Sequence, residues 1–284
     1  MTGTVAAYGA DWSAGRRRGS DSELRGWVDF GLSLCAAADA LALRWFRRDV
    51  PVSRKPDRSF VTEADTAIEA ILRDRIADAH PDHGVVGEEY GVSDAEASVR
   101  WYIDPIDGTH NFMRGLPLFG TLLAVERDGE LQAAIVSAPA LRERWYGWRG
   151  GGAWGAGAAG NEAPRRIRVS EVGALEDAQV LYGSSRDIEA SGRAPGFRSL
   201  LASVWRERGV GDFWGYSLVA EGAAEAMLEV DLSPWDAAAP MLLVEEAGGR
   251  VTDLDGRRSF QSPSFLASNG RLHDQLLARL NAPA

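Results

Sequence analysis

Apolar positions in the first third of the chain fall into two helical stripes. From Ser22 onward, Leu24, Trp27, Val28, Phe30, Gly31, Leu34, Ala38, Leu41 and Trp45 return every three or four residues. That spacing gathers side chains on one helical face and predicts a long amphipathic helix ending near Arg48. Thr62 with Asp65 three positions later, followed by Ile68, Ile71, Leu72 and Ile76, is a capping pattern ahead of a second helix, which must stop before Pro81. Residues 1–20 are rich in Gly, Ser and Ala, carry Arg16, Arg17 and Arg18, and have no sustained period. They predict a mobile tail whose short basic run is solvated.

Shorter apolar runs follow. Gly84–Tyr90 predicts a buried strand whose end delivers Glu88 and Glu89, with a polar, mobile span from Gly91 to Ser98. The runs 121–126 and 131–136 flank Asp128 and Gly129, the signature of a β-hairpin. A strand at 144–148 precedes a Gly/Ala-rich stretch at 150–160, which lacks the Gly-Lys-Ser/Thr ending of a phosphate loop and predicts a surface hairpin. Beyond Pro164, strands and helices alternate. Strands are predicted at 168–170, 180–182, 228–230, 251–254 and 264–267, and helices at 197–206, 217–227, 236–247 and 272–280, with Gly248 and Gly249 closing the third of these helices. There is no internal repeat.

Composition narrows the class. The 284 residues suffice for one large domain or two modest halves sharing a cleft, here a tail (1–20), a first half (21–162) and a second half (163–284). Hydrophobic content of 45% and charged content of 25% are ordinary for a globular protein. A net charge of -10 opposes nucleic-acid binding, and a small anionic substrate would need local cations, of which bound metal is the natural candidate. Cys35 is the single cysteine, so neither an intrachain disulfide nor a thiolate cluster can form, which fits a reducing cytoplasm. No uninterrupted apolar run approaches the ~18 residues of a membrane span and no signal peptide opens the chain, so neither secretion nor a membrane partner is expected.

The chemistry concentrates in Trp101-Tyr-Ile-Asp-Pro-Ile-Asp-Gly-Thr109. Asp104 and Asp107 stand where an apolar strand gives way to a Gly-Thr turn, and oxygen-only ligands suit hard cations such as Mg²⁺. Pro105 stiffens the segment, and the Ile106 carbonyl, left in a bend, is a third candidate ligand. Asp65, Glu88 with Glu89, and Asp236 add further acids at element boundaries. Each has a structural alternative: a helix-start acid for Asp65, a solvated strand end for the glutamates, a turn for Asp107, a cap for Asp236. Jointly, their placement favours convergence on one cleft. Gly108 would let an anion approach the start of a helix. The Thr109 hydroxyl could orient a water whose proton Asp65 accepts as general base, against the alternative of a simple N-cap.

Three blocks, Gly87-Glu-Glu89, Trp101 through Phe112, and Trp235-Asp-Ala-Ala-Ala239, resemble the inositol monophosphatase superfamily of Mg²⁺-dependent, Li⁺-sensitive phosphatases, over roughly residues 22–282. The resemblance implies a layered αβαβα sugar-phosphatase fold of α+β and α/β halves, two or three Mg²⁺ per site and a homodimer. It implies a metal shell of Glu88, Asp104, the Ile106 carbonyl, Asp107 and Asp236, with Gly108 and Thr109 on the phosphate. Asp65, Thr109, Glu88 and Lys55 are the implied catalytic residues, Lys55 otherwise reading as a solvated loop charge. The implied reaction is direct in-line attack of water on phosphorus, without a phosphoenzyme. Asn111–Pro117, Val136–Leu141, Trp148–Trp154, Gly211–Phe213 and Leu218–Gly222 look closer to the histidinol-phosphate phosphatase branch. In that branch Asp212 and Glu229 would line the leaving-group pocket, where negative charge suits an aminoalcohol cation. His110 and the tail before Ser22 depart from the family pattern. An inositol, cyclitol or sugar phosphate is the alternative substrate. A nucleotide 3′-phosphatase ranks lower because no extra basic groups flank the motifs, and a non-enzymatic module is disfavoured by the complete ligand set.

Overall fold

A computed structural model describes residues 19–48, 51–54, 60–158 and 163–282. The basic triplet at 16–18 and Lys55 lie outside the described residues. Helix α1 (Asp21–Trp45) starts from Ser20, whose hydroxyl accepts the Glu23 N–H, so the predicted helix begins one residue early and ends before Arg48. Two short strands absent from the sequence reading, β1 (Val52–Arg54) and β2 (Phe60–Thr62), pair antiparallel ahead of α2 (Glu63–Ala79). Then come β3 (Gly84–Gly87), β4 (Gly91–Ser93), β5 (Val99–Asp107), α3 (Thr109–Met113), β6 (Gly120–Arg127), β7 (Glu130–Ala138), β8 (Glu143–Trp148), β9 (Gly152–Gly157) and β10 (Arg165–Arg166). These strands form one sheet in the order β10-β9-β8-β7-β6-β5-β3-β4.

The rest of the chain runs β11 (Gln179–Tyr182), α4 (Ser185–Ile188), α5 (Ala194–Leu201), β12 (Arg206–Gly209), α6 (Asp212–Ala220), β13 (Ala226–Val230), α7 (Pro234–Glu246), β14 (Arg250–Thr252), β15 (Ser264–Ser268) and α8 (His273–Leu280). A second sheet has the order β12-β11-β13-β15-β14.

Side-chain alternation builds the layers. On β5, Trp101 and Ile103 face α1 and α2, packing with Leu34, Ile68 and Leu72, while Tyr102 faces the opposite side. On that side α6 and α7 lie between the two sheets, and Ala237, Ala238 and Ala239 keep the middle layer thin. On β13, Met227 joins this middle core, whereas Ala226 and Leu228 face α5 and α8, against Phe197, Leu200 and Leu276. The order is therefore helices, sheet, helices, sheet, helices, the αβαβα arrangement that the motifs implied. Because both faces of β6 and β7 are covered, their apolar runs are continuous rather than alternating.

Several expectations need correction. Arg206 does not end the helix expected at 197–206 but opens the edge strand β12, paired parallel to β11; α5 stops after Phe197 and Leu200 have been buried. The helix expected at 217–227 begins earlier, at Asp212, and ends at Ala220, because Gly222 takes φ +77° and sends the chain into β13. The strand expected at 168–170 lies at Arg165–Arg166. The polar span after Gly91 pairs its first three residues with β3 instead of standing free. Helix α1, although interrupted by polar residues, is long and apolar enough by length and composition to cross a membrane, and 44% of its most apolar window is buried in the protein.

Candidate active site

Two acids three residues apart on a regular strand would point to opposite faces. Strand β5 avoids this with a bulge: Asp104 is opposite Leu122 and Asp107 opposite Gly120, so the spacing is three residues on one strand and two on the other. Pro105 lies within the bulge, and its carbonyl accepts from the Thr121 hydroxyl at 2.9 Å. Both carboxylates thereby reach one cavity of about 340 Å³, together with Glu88, Ile106, Gly108, Thr109, Asp212, Glu229 and Asp236.

The remaining acids are delivered by helix starts and strand ends. Asp65 is the third residue of α2 and closes a capping box with Thr62, accepting the Thr62 N–H at 2.8 Å and the Thr62 hydroxyl on the same oxygen. Its other oxygen faces the Thr109 hydroxyl at 3.5 Å. Asp236 repeats the device on α7, where Oδ2 accepts the Ser233 N–H at 2.8 Å. In both cases the structural alternative is correct for one carboxylate oxygen; Asp236 also lines the cavity, whereas Asp65 does not and meets it through Thr109. Glu88 follows the end of β3, and its N–H donates to the Ile103 carbonyl.

Gly108 has φ +80°, and a Cβ there would sit 2.7 Å from the Leu118 carbonyl and 3.3 Å from the Asp212 carboxylate. Gly108, not Thr109, occupies the cap position of α3, which is only five residues long. Thr109 instead donates to the Ile106 carbonyl at 3.0 Å, which leaves that oxygen a second lone pair.

The second half of the chain closes the cavity. Asp212 adopts φ +61° at the start of α6, a conformation Asp tolerates better than most residues. This turn aims the Phe213 N–H at Asp107, 2.5 Å away, while Asn111 donates to Asp212 at 2.9 Å. Glu229 accepts from the Tyr216 hydroxyl at 3.0 Å and faces the Asp212 N–H at 3.5 Å.

Packing so many acids together displaces their proton equilibria. Burial, then Glu88, Asp107, Asp236 and Asp65, hold Asp104 well above the ordinary carboxylate range. Burial, then Asp212 and Asp236, do the same to Asp107 against the opposing Phe213 N–H. Burial pushes Asp236 up to about 7 and, with the neighbouring Asp212, Glu229 up to about 8. Asp212 is raised by burial, moderated by His110 and Asn111. Asp65 rises to about 6, mainly through burial, with the Thr62 hydrogen bonds pulling the other way.

Asp104 Oδ1 is buried without a hydrogen-bond partner, and no Lys or Arg is among the described residues lining the cavity. An all-oxygen set with an orphaned anionic atom fits Mg²⁺. The acids ring the cavity without closing on one point, for no three His, Cys, Asp or Glu among the described residues are drawn together tightly enough to hold a metal ion as they stand.

Sequence reasoning did not single out Asn111, Tyr216 or Glu69. Of these Glu69 carried a usable signal, because it stands one helical turn after Asp65 and so shares its face. Glu89, paired with Glu88 in the sequence reading, does not line the cavity.

The model of the inositol monophosphatase family matches residues 26–282. A histidinol-phosphatase of Streptomyces coelicolor is 45% identical over 87% of this chain and 94% of its own length. One from Mycobacterium tuberculosis is 42% identical over 88% and 96%. Among solved structures, an IMPase of Thermotoga maritima superposes with a TM-score of 0.80 at 32% identity, covering 90% of this chain and 97% of its own. With the bulged diacid strand, the layered fold and these matches together, the chain belongs to the inositol monophosphatase family and is a phosphomonoester hydrolase.

Proposed function

We propose that the protein is a Mg²⁺-dependent phosphatase that hydrolyses histidinol phosphate to histidinol and phosphate, a step of histidine biosynthesis. The observation that carries this reading is the charge of the leaving-group end of the cavity. Besides the candidate metal ligands it is lined by Asp187, Asp212, Glu229 and Asp231, with no Lys or Arg among the described lining residues. Burial raises Asp212 and carries Glu229 to about 8, and a bound ammonium group would favour the ionised form of both, an interaction that a neutral polyol cannot supply. The two histidinol-phosphatases at 42–45% identity support the same choice.

Glu88, Asp104, Asp107, Asp236 and the Ile106 carbonyl would hold two or three Mg²⁺, with Li⁺ expected to inhibit. The metal, when bound, supplies positive charge to the phosphate and acidity to a coordinated water. Asp65, held near 6 by burial, is poised to take a proton at neutral pH, and Thr109 links it to the reacting side of the cavity. Gly108 leaves the phosphate room at the turn. Asp212 and Glu229 orient the departing alcohol. Lys55 would supply a cation to the reaction. The protein would act on small phosphomonoesters in the cytoplasm as a homodimer, with the boundary between its halves near residue 162 and the site between them.

Phosphate release from histidinol phosphate and from inositol 1-phosphate, measured in parallel with Mg²⁺ and then with EDTA, tests this. A large preference for histidinol phosphate that EDTA abolishes is the expected result. The reverse preference would retain the hydrolytic site and overturn the account of the leaving-group pocket.

A further inference from the structure

Glu88 sits in a three-residue reversal between β3 and β4, a poor place for a metal ligand unless something holds the turn rigid. The side chain that does so comes from α2. Glu69 is fully buried, yet both its oxygens are occupied. Oε2 accepts the Glu89 N–H at 2.7 Å, and Oε1 accepts the Tyr90 N–H at 3.1 Å and the Arg73 Nε–H at 2.8 Å. The two amides that immediately follow Glu88 are thus tied to one carboxylate, through charge-assisted bonds in a dry setting. Arg73 completes the clamp by donating from Nη2 to the Gly91 carbonyl where β4 begins.

Gly87 makes the clamp possible. A Cβ at that position would fall on the Glu69 carboxylate, and the three atoms nearest to it all belong to Glu69 and Arg73. The glycine before Glu88 has an ordinary backbone conformation, so what it provides is room for this carboxylate, not freedom in φ. Asp65 lies four residues before Glu69 on the same helix and reaches Thr109. One helix therefore carries both the candidate base and the group that holds the Glu88 turn.

We propose that Glu69 is a positioning residue for Glu88, with Gly87 and Arg73 as its accessories, and that α2 sets the distance between the base Asp65 and the metal ligand Glu88. The inference rests on the metal-site reading given under Proposed function. It extends that reading to residues that do not line the cavity.

The test is calorimetric titration of metal-free protein with Mg²⁺, for the wild type, Glu69→Gln, Gly87→Ala, Glu69→Ala and the double variant Glu69→Ala/Gly87→Ala. Amide hydrogen exchange at Glu89 and Tyr90 is followed in parallel. Loss of a group that orients a metal ligand typically weakens binding by about 10- to 100-fold, and Glu69→Gln and Gly87→Ala should each do so, with faster exchange at both amides. In the Glu69→Ala background Gly87→Ala should cost little more, since the carboxylate it would strike is gone. Mg²⁺ affinities of both single variants within about twofold of wild type, or fully additive losses in the double variant, would overturn the proposal. Should the Glu69 variants fail to fold, Gly87→Ala decides by the same two readouts. A wild-type protein that binds no Mg²⁺ would overturn the metal-site reading and this inference with it, an outcome distinct from unaffected variants of a protein that does bind.

Discussion

Asp104→Asn separates the chemistry of the site from its packing. The amide fills nearly the same volume at a position only 2% exposed, and it removes one charge from a group facing Glu88, Asp107, Asp236 and Asp65. A carboxyl held high in the fold keeps its stabilising contribution below the unfolded value of about 3.9. The contribution is lost as pH rises through the folded value, because the native state still holds a proton that the unfolded chain has released. Metal-free wild type should therefore lose stability between about pH 4 and neutrality, each tenfold displacement of the proton equilibrium being about 1.4 kcal/mol. The asparagine variant lacks that term. In EDTA its melting temperature should match wild type near pH 4 and exceed it at pH 8, with each kcal/mol that wild type loses worth about 2–4 °C in a chain of this size. Turnover at saturating Mg²⁺ should fall by about 10²-fold or more, about 2.7 kcal/mol of lost transition-state stabilisation. The assay is phosphate release, alongside melts in EDTA at the two pH values. Turnover within about tenfold of wild type would refute the ligand role. An equal fall in melting temperature at both pH values would assign the lost activity to packing instead.

Asp212→Asn should lower kcat/KM for a cationic substrate by about tenfold, about 1.4 kcal/mol, while sparing a neutral polyol phosphate, since asparagine tolerates φ +61° as aspartate does; equal losses on the two substrates would remove Asp212 from specificity. His273 is fully buried between the Thr252 hydroxyl at 2.9 Å and the Ser268 hydroxyl at 2.8 Å, and burial holds its imidazole down to about 4. Its contribution is complete above the unfolded value of 6.5 and is lost as pH falls toward 4, roughly 3 kcal/mol in all. Urea midpoints at pH 7 and pH 4.5 should therefore differ less in His273→Asn than in wild type, and an unchanged difference would contradict the assignment.

Much of the fold was legible because a stripe of apolar side chains reports a single buried face. Leu24 to Trp45 and Ile68 to Ile76 announced α1 and α2, and the Asp128–Gly129 turn announced the β6–β7 hairpin, where both residues take positive φ. The misread segments lack that signal. Strand β12 is mostly polar and exposed, and β4 is wholly exposed, so their pairing is written in backbone N–H and C=O groups that every residue carries. The end of α6 was misplaced because its small apolar residues run on past Gly222 into β13 without a change of composition.

The candidate site divides in the same way. Asp104, Asp107, Glu88, Asp65 and Asp236 were visible from their residue types at element boundaries, since oxygen ligands and helix caps are local chemistry. The β5 bulge that turns Asp104 and Asp107 to one side, the Phe213 N–H that reaches Asp107 from 106 residues away, and the Glu69 carboxylate beneath the Glu88 turn were not. The sequence by itself determined which groups were available and which elements would carry them, because propensity, capping and periodicity act over a few residues. Only the tertiary structure decided which oxygens meet, which charges must share a dry cavity and which hydrogen bonds hold them there, because those contacts join segments far apart in the chain and no local pattern encodes them.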